Sequence, residues 1–324
     1  MLNRRQALAL PALLAPITAR AQEWRPTGAM RVVVPAAPGG TADIMARLLA
    51  QHLPARLGVN VVTDNRSGGG GTIGTMDVLR AAADGLTLLS GNIGPQSIAY
   101  SLFRNMPYRA ADLQPVGNMI SGPAVLLIHP SIPARTVPEF VEYMRRNPGL
   151  AYGSSGVGQS PHLSGVWFSQ LTGTEVTPVH FRGAGPLMMD LIAGNVRFSF
   201  VNLTTSVQQI RSGQVRALAV TSADRHVLLP ELPPLRETMR QLANYEVNSW
   251  FGMFARAGIP AAALRVLNAE INALLGTEDT RRRFTEMGGV PMPGSPEDFG
   301  RFVAAETEKW AAVIRREGLQ MEVS

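Results

Sequence analysis

Cysteine is absent from all 324 residues. That excludes disulfide staples, thiolate zinc sites, cysteine-ligated clusters and a cysteine nucleophile. It does not exclude an oxidising compartment, because a chain of this size can build its core without disulfides. Lysine is almost as scarce. Lys309 is the only one, so nearly every cation is an arginine, and no phosphate-cradling G-x-x-x-x-G-K-[ST] loop exists. Aromatic residues make up 6%, and no arginine-rich run is interleaved with them, so nucleic acid is not an expected partner. Arg281-Arg282-Arg283 reads as a solvated helix face. No apolar run is long enough to span a bilayer. With 45% hydrophobic and 17% charged residues, the chain has the apolar material for a large core and too little charge for general disorder.

The N-terminus reads as a secretory signal peptide over residues 1–21. It holds no acid, a positive Arg4-Arg5 pair, an apolar stretch from Ala7 to Ile17 and an Ala19-Arg20-Ala21 cleavage signature. Arg4-Arg5 is compatible with the Sec or the twin-arginine route. Losing Arg4, Arg5 and Arg20 takes the formal charge from +6 to +3. The expected protein is therefore exported.

After the signal, apolar β-branched runs lead into Gly-rich loops, and the loops lead into helical periods. Arg31–Pro35, Val59–Thr63, Leu86–Ser90 and Val125–His129 read as strands, and a helix starts at about Thr41 with Ile44, Met45, Leu48, Leu49 and Leu53 on one face. Thr136-Val-Pro-Glu139 reads as a capping box. The middle repeats the design, with strands at Val176–Phe181, Val196–Asn202 and Val215–Thr221. The tail is helical, with Phe299, Phe302, Val303, Trp310, Val313 and Ile314 on the buried side of its last helix. Alternating strands and helices imply an α/β fold with mostly parallel sheets flanked by helices. There are too many such units for one doubly wound sheet. Two lobes are expected, residues 29–127 plus 227–324 and residues 128–226, with crossings near 125–129 and 215–221.

Parallel sheets bind ligands at the carboxyl ends of their strands. Here those ends carry residues 35–43, 64–72, 91–97, 153–162 and 181–186, most of them rich in glycine. Each opens a helix, so free N–H groups and a positive dipole end point into the loop, which suits an anion. Competing motifs are weaker. Gly69–Gly74 satisfies the dinucleotide pattern, yet a four-glycine run does so by accident, and Asp84 precedes the next strand instead of ending it. None of the five histidines shows H-x-x-x-H spacing, so no metal or cofactor is expected. Ser154, Ser155 and Ser160 lie near His162, but no base-orienting acid is identifiable.

Several of these residues carry a family resemblance. They are Pro38–Asp43 with Ala46–Leu49, Asn65-Arg66 with Gly69–Gly74, Tyr152–Gly158 with His162-Leu163, Phe181–Gly183 with Asp190–Gly194, Val215–Thr221 and Trp250–Gly252. In order and spacing they resemble the Bug family, the periplasmic substrate-binding components of tripartite tricarboxylate transporters, from about residue 30 to the C-terminus. The resemblance implies a two-lobe, type II periplasmic-binding-protein fold that closes on a small carboxylated solute. The chain departs from the family pattern at Val201, usually acidic, and at Phe181-Arg182, usually Tyr-Lys. Its loop after Asn65 also carries Ser67 and a lengthened glycine run.

Loops and resemblance together give an expected ligand site. Gly39, Gly40, Thr41, Asp43 and Asn92 would come from one lobe, and Ser154, Ser155, Gln159, His162, Arg182, Gly183 and Asn202 from the other. The expected protein is a monomer that captures a small carboxylate by hinge closure for membrane transporter subunits, without catalysis. A sensory adaptor for a membrane receptor and a Ser154 or Ser155/His162 hydrolase are the alternatives.

Overall fold

The computed structural model describes residues 24–321. The expected signal peptide lies outside them. The first half runs β1 (Met30–Val34), α1 (Thr41–Leu57), β2 (Val61–Asn65), α2 (Thr72–Arg80), β3 (Thr87–Asn92) and α3 (Ala99–Leu102). Then come the long strand β4 (Leu113–Ile128), α4 (Val137–Arg146), β5 (Leu150–Ser154), α5 (Ser160–Thr172) and β6 (Val176–His180). The chain continues through α6 (Ala184–Ala193), β7 (Phe198–Asn202), α7 (Leu203–Arg211), β8 (Arg216–Val220) and α8 (Leu235–Thr238). It ends with β9 (Asn248–Arg256), α9 (Ala261–Gly276), α10 (Glu278–Glu286), β10 (Val290–Pro291) and α11 (Pro296–Glu317). No described helix is long and apolar enough to cross a membrane.

The strands form one curled sheet, ordered β2-β1-β3-β9-β4-β7-β5-β6, with β8 and β10 also paired to β4. Its flanks are parallel: β1 with β2 and β3, and β5 with β6 and β7. Its centre is antiparallel, and the reason is β4. Residues 113–123 of this strand pair with β9 on the first side, and residues 124–128 pair with β7 and β8 on the second. One strand thus belongs to both halves, and its neighbours there run against it.

The return path differs from the expected crossing at 215–221. β8 lies wholly in the second half, and the chain comes back along β9. Between them, α8 packs on α4, and the turn at Arg240–Leu242 packs on α5. The expected division had placed residues 227–247 with the first lobe.

Local chemistry sets the helix ends that matter. α1 begins after Gly40, carries Asp43 in its first turn and stops at Gly58, which adopts φ +71°. Ser295 and Asp298 form a reciprocal capping box on α11. On α4 only half of the expected box forms. Thr136 accepts from Glu139 N, but the Glu139 carboxylate accepts from Arg135 N instead of Thr136 N. Trp250 is buried on β9, edge-on to Phe299 and Phe302 of α11. That packing fixes α11 against the antiparallel centre.

Candidate functional site

Four helices begin at one point. Thr41 and Ala42 open α1, Ser160 and Pro161 open α5, Gly183 and Ala184 open α6, and Asn202 caps α7. All of these residues line a single cavity of about 40 Å³ between the two halves. The first turn of each helix leaves backbone N–H groups without intrahelical acceptors, and each helix presents its positive dipole end. Four such ends at one small cavity make a site for an anion. No acidic residue lines the cavity.

Two amides supplement the backbone. Asn92 ends β3, and its Oδ1 accepts from Gly94 N at 2.9 Å, which leaves its NH₂ to donate. Asn202 ends β7, and its Oδ1 is buried with no hydrogen-bond partner among the described residues. Both can serve a bound carboxylate or a neighbouring hydroxyl.

A second, larger cavity of about 440 Å³ adjoins the first. The glycine run Gly68–Gly71 and Ile73 form its first side, and Gly156, Val157, Phe181 and Arg182 form the other. Ser155 and Gln159 line both cavities.

The two sides of the cleft touch. Ala37 N donates to Arg182 O at 2.7 Å, Gln159 Nε2 donates to Gly70 O at 2.7 Å, and Thr41 Oγ1 lies 2.6 Å from Thr204 Oγ1. Glycine is needed where backbones approach this closely. A Cβ on Gly70, at φ +61°, would stand 2.1 Å from Val157 O, and one on Gly185 would stand 2.5 Å from Pro38 O.

Of the expected site residues, Thr41, Asn92, Ser155, Gln159, Gly183 and Asn202 line the inner cavity, and Arg182 lines the outer one. Gly39 and Gly40 face neither. They lie against Gly185 and Ala184 across the cleft, where a Cβ would make ordinary van der Waals contact at 3.6–3.7 Å.

Three further residues of the expected site are held by hydrogen bonds within the protein. The Asp43 carboxylate is buried and accepts from Gly39 N, Arg47 Nε and Asn65 Nδ2. Burial alone would raise its pKa, but the bonds from Arg47, Asn65 and Gly39 outweigh burial and hold it below the usual value. It braces the loop before α1. Ser154 Oγ donates to Gly156 O and accepts from Gly156 N, so it is spent on its own turn. His162 Nδ1 accepts from Gly158 N, and its ring stands edge-on to His180 with centroids 4.7 Å apart. Burial, and then the His180 ring, lower the pKa of His162 to about 4. Neither Ser154 nor His162 lines either of these two cavities.

Residues absent from the expected set also line the site. Ser160 was detectable, since it directly precedes Pro161, and proline in a first turn marks a helix start. Phe251 lies in the Trp250–Gly252 run that carries the family resemblance, though its place at the site was not read from it, and Phe103 comes from a part of the chain that no local pattern marks.

Residues 45–319 match the family described as "Tripartite tricarboxylate transporter family receptor". Protein BugT of Bordetella pertussis is 33% identical over 320 residues, covering 97% of this chain and 96% of BugT. Among solved structures, R. palustris Rpa4515 with adipate aligns with a TM-score of 0.86 at 36% identity, covering 90% of this chain and 98% of that one. MatC (Rpa3494) from Rhodopseudomonas palustris with bound malate aligns with a TM-score of 0.85 at 30% identity, covering 89% and 99%.

Proposed function

The chain belongs to the tripartite tricarboxylate transporter receptor family, and from that premise we propose that it captures a small carboxylated metabolite in the periplasm and presents it to membrane transporter subunits. The observation that carries the ligand class is the meeting of four helix starts on one cavity without an acid. A carboxylate there accepts from first-turn N–H groups of both halves, together with Thr41, Asn92 and Asn202. The relatives solved with adipate and malate agree with that class.

The proposed mechanism is hinge closure without turnover. β4 and β9 are the strands that join the halves, so bending there parts the cleft. A ligand that touches both halves stabilises the closed arrangement by its differential affinity. The hydroxyl of Ser154 and Nδ1 of His162 already serve the loop backbone, which favours binding over nucleophilic chemistry.

A thermal-shift panel of small carboxylic acids tests this reading. A ligand at 100 times its Kd adds about 2.7 kcal/mol, which raises the melting temperature by several degrees. If no acid in a broad panel stabilises the mature protein, the reading is wrong. Turnover of ester or amide substrates, lost on Ser155→Ala, would replace it with a hydrolase.

A further inference from the structure

A third cavity, of about 330 Å³, lies on the first half and shares no lining residue with either cleft cavity. Its volume falls within the ~300–1,000 Å³ of ordinary ligand sites. Its walls come from α3, α11 and the paired strands β4 and β9. Leu113, Phe254 and Val303 make them apolar. Gly300 and Ala304 are the small residues of α11 that border the space, and a larger side chain there would fill it.

Two polar groups at this cavity have no work within the protein. The Tyr100 hydroxyl makes no hydrogen bond, and the Glu308 carboxylate makes no hydrogen bond or ion pair, to any described residue. The neighbouring Lys309 pairs with Glu306 instead. Burial, then Tyr108 and then the charge of Asp112, raise the pKa of Tyr100, so its hydroxyl stays protonated in a negative field. No lysine or arginine lines the cavity.

The inner end of the cavity is rigid. Residues Gly94–Ile98 wind one π-helical turn, with Ala99 N donating to Gly94 O. Such turns are found mostly at functional sites. Gln96, in the middle of the turn, lines the cavity, and both ends of its amide are engaged. Its Oε1 accepts from Asn92 N at 2.8 Å, and its Nε2 donates to Thr75 Oγ1 at 3.0 Å. Gln96 thus walls the cavity off from Asn92 and the inner cleft cavity.

We propose that this cavity is a separate binding site for a small apolar amine, with its ammonium held between Glu308 and the Tyr100 hydroxyl and its body against Leu113, Phe254 and Val303. An ammonium only donates, and a carboxylate and a phenol oxygen both accept. The rings of Tyr100 and Phe254 attract a cation that lies over their faces. An anion meets repulsion from Glu308 and Asp112. The site therefore takes the opposite charge from the cleft and does not depend on what the cleft holds.

Amide NMR titration of the mature protein with benzylamine, benzyl alcohol and methylamine tests the proposal. Benzylamine should give saturable shifts at Phe254, Val303 and Ala304 and none at Thr41, Ser155 or Gly183. Benzyl alcohol keeps the body without the charge and should bind about fivefold more weakly. Methylamine keeps the charge without the body and should bind at least tenfold more weakly. Glu308→Gln should weaken benzylamine to the level of benzyl alcohol and leave the alcohol unchanged. Ala304→Trp should abolish binding of both. Both substituted positions are exposed on α11, and melting temperatures near that of the wild type would show that the variants fold. The proposal is overturned if benzylamine gives no saturable shifts, if the shifts fall in the cleft, if Glu308→Gln leaves benzylamine unaffected, or if a folded Ala304→Trp still binds it. The acid panel decides carboxylate capture separately.

Discussion

Gln159 reaches across the cleft to donate to the carbonyl of Gly70 at 2.7 Å. Its amide is packed among glycines. A Cβ on Gly94 would stand 2.6 Å from Gln159 Oε1, and one on Gly71 would stand 3.4 Å from Nε2. A side chain from one half thus occupies a socket that glycine leaves open in the other. The same residue lines both cavities, so ligand contact and closure meet in one group.

Gln159→Ala removes that bond and leaves the Gly70 carbonyl to water. The expected loss is about 1 kcal/mol of ligand affinity, or about fivefold, with little change in the melting temperature of the free protein. Calorimetry with the best acid, run beside a thermal melt, checks both halves of the statement.

Gly70→Ala acts on closure by sterics. The added Cβ collides with Val157 O across the cleft, and alanine tolerates φ +61° poorly. The halves must part to accommodate it. The expected result is a drop in affinity of about tenfold or more, with a larger radius of gyration in small-angle scattering than the wild type shows with ligand bound.

Asp43→Asn tests whether this carboxylate braces the loop instead of touching ligand. Losing the charge leaves Gly39 N, Arg47 and Asn65 with a poorer acceptor, so stability should fall by about 1–3 kcal/mol. The folded pKa lies below the ordinary carboxylate value. Its stabilisation is therefore complete above the unfolded pKa and is lost as pH falls through the folded one. In the variant, melting temperature measured against pH should lack that acid-side component.

His162 carries the opposite chemistry with the same outcome in acid. Its folded pKa is about 4, below the ordinary imidazole value of 6.5, because burial and the facing His180 disfavour the charged ring. Between those values the unfolded chain binds the extra proton, so stability rises with pH across the window. It is full above about 6.5 and falls by about 3 kcal/mol on the way down to pH 4. His162→Gln should flatten chemical-denaturation stability over that range.

The flanks of the fold were legible because their signals are local. Arg31–Pro35 was expected as a strand and Met30–Val34 is one, and α1 begins at Thr41 as read. The first half of β4 was hidden. Pro115, Gly117, Gly122 and Pro123 interrupt its apolar pattern, and bulges absorb the irregularity in the ladder with β9. A strand held by tertiary pairing gives little sign of itself in one window of sequence.

The site divides in the same way. Thr41, Asn92 and Asn202 were readable because a polar residue where a strand meets a helix faces the cleft in this architecture. Asp43, Ser154 and His162 sit in the same loops and carry plausible chemistry, yet each is engaged by neighbouring groups of the protein: Asp43 by Gly39 N, Arg47 and Asn65, Ser154 by Gly156, and His162 Nδ1 by Gly158 N. Sequence names a donor or an acceptor and does not say whether its partner is already in the protein. Ile73 and Phe103 became site residues only once the fold had brought the two halves together.

The most direct test of the account is calorimetric titration of the mature protein with the best acid from the panel, beside the methyl ester of the same acid. The ester keeps the size and the apolar body but removes the charge that four helix starts are placed to receive. The account predicts a saturable one-to-one isotherm for the acid and an ester weaker by about 100-fold, a difference of ~2–3 kcal/mol for hydrogen bonds to a charged group. Equal binding of acid and ester would contradict it.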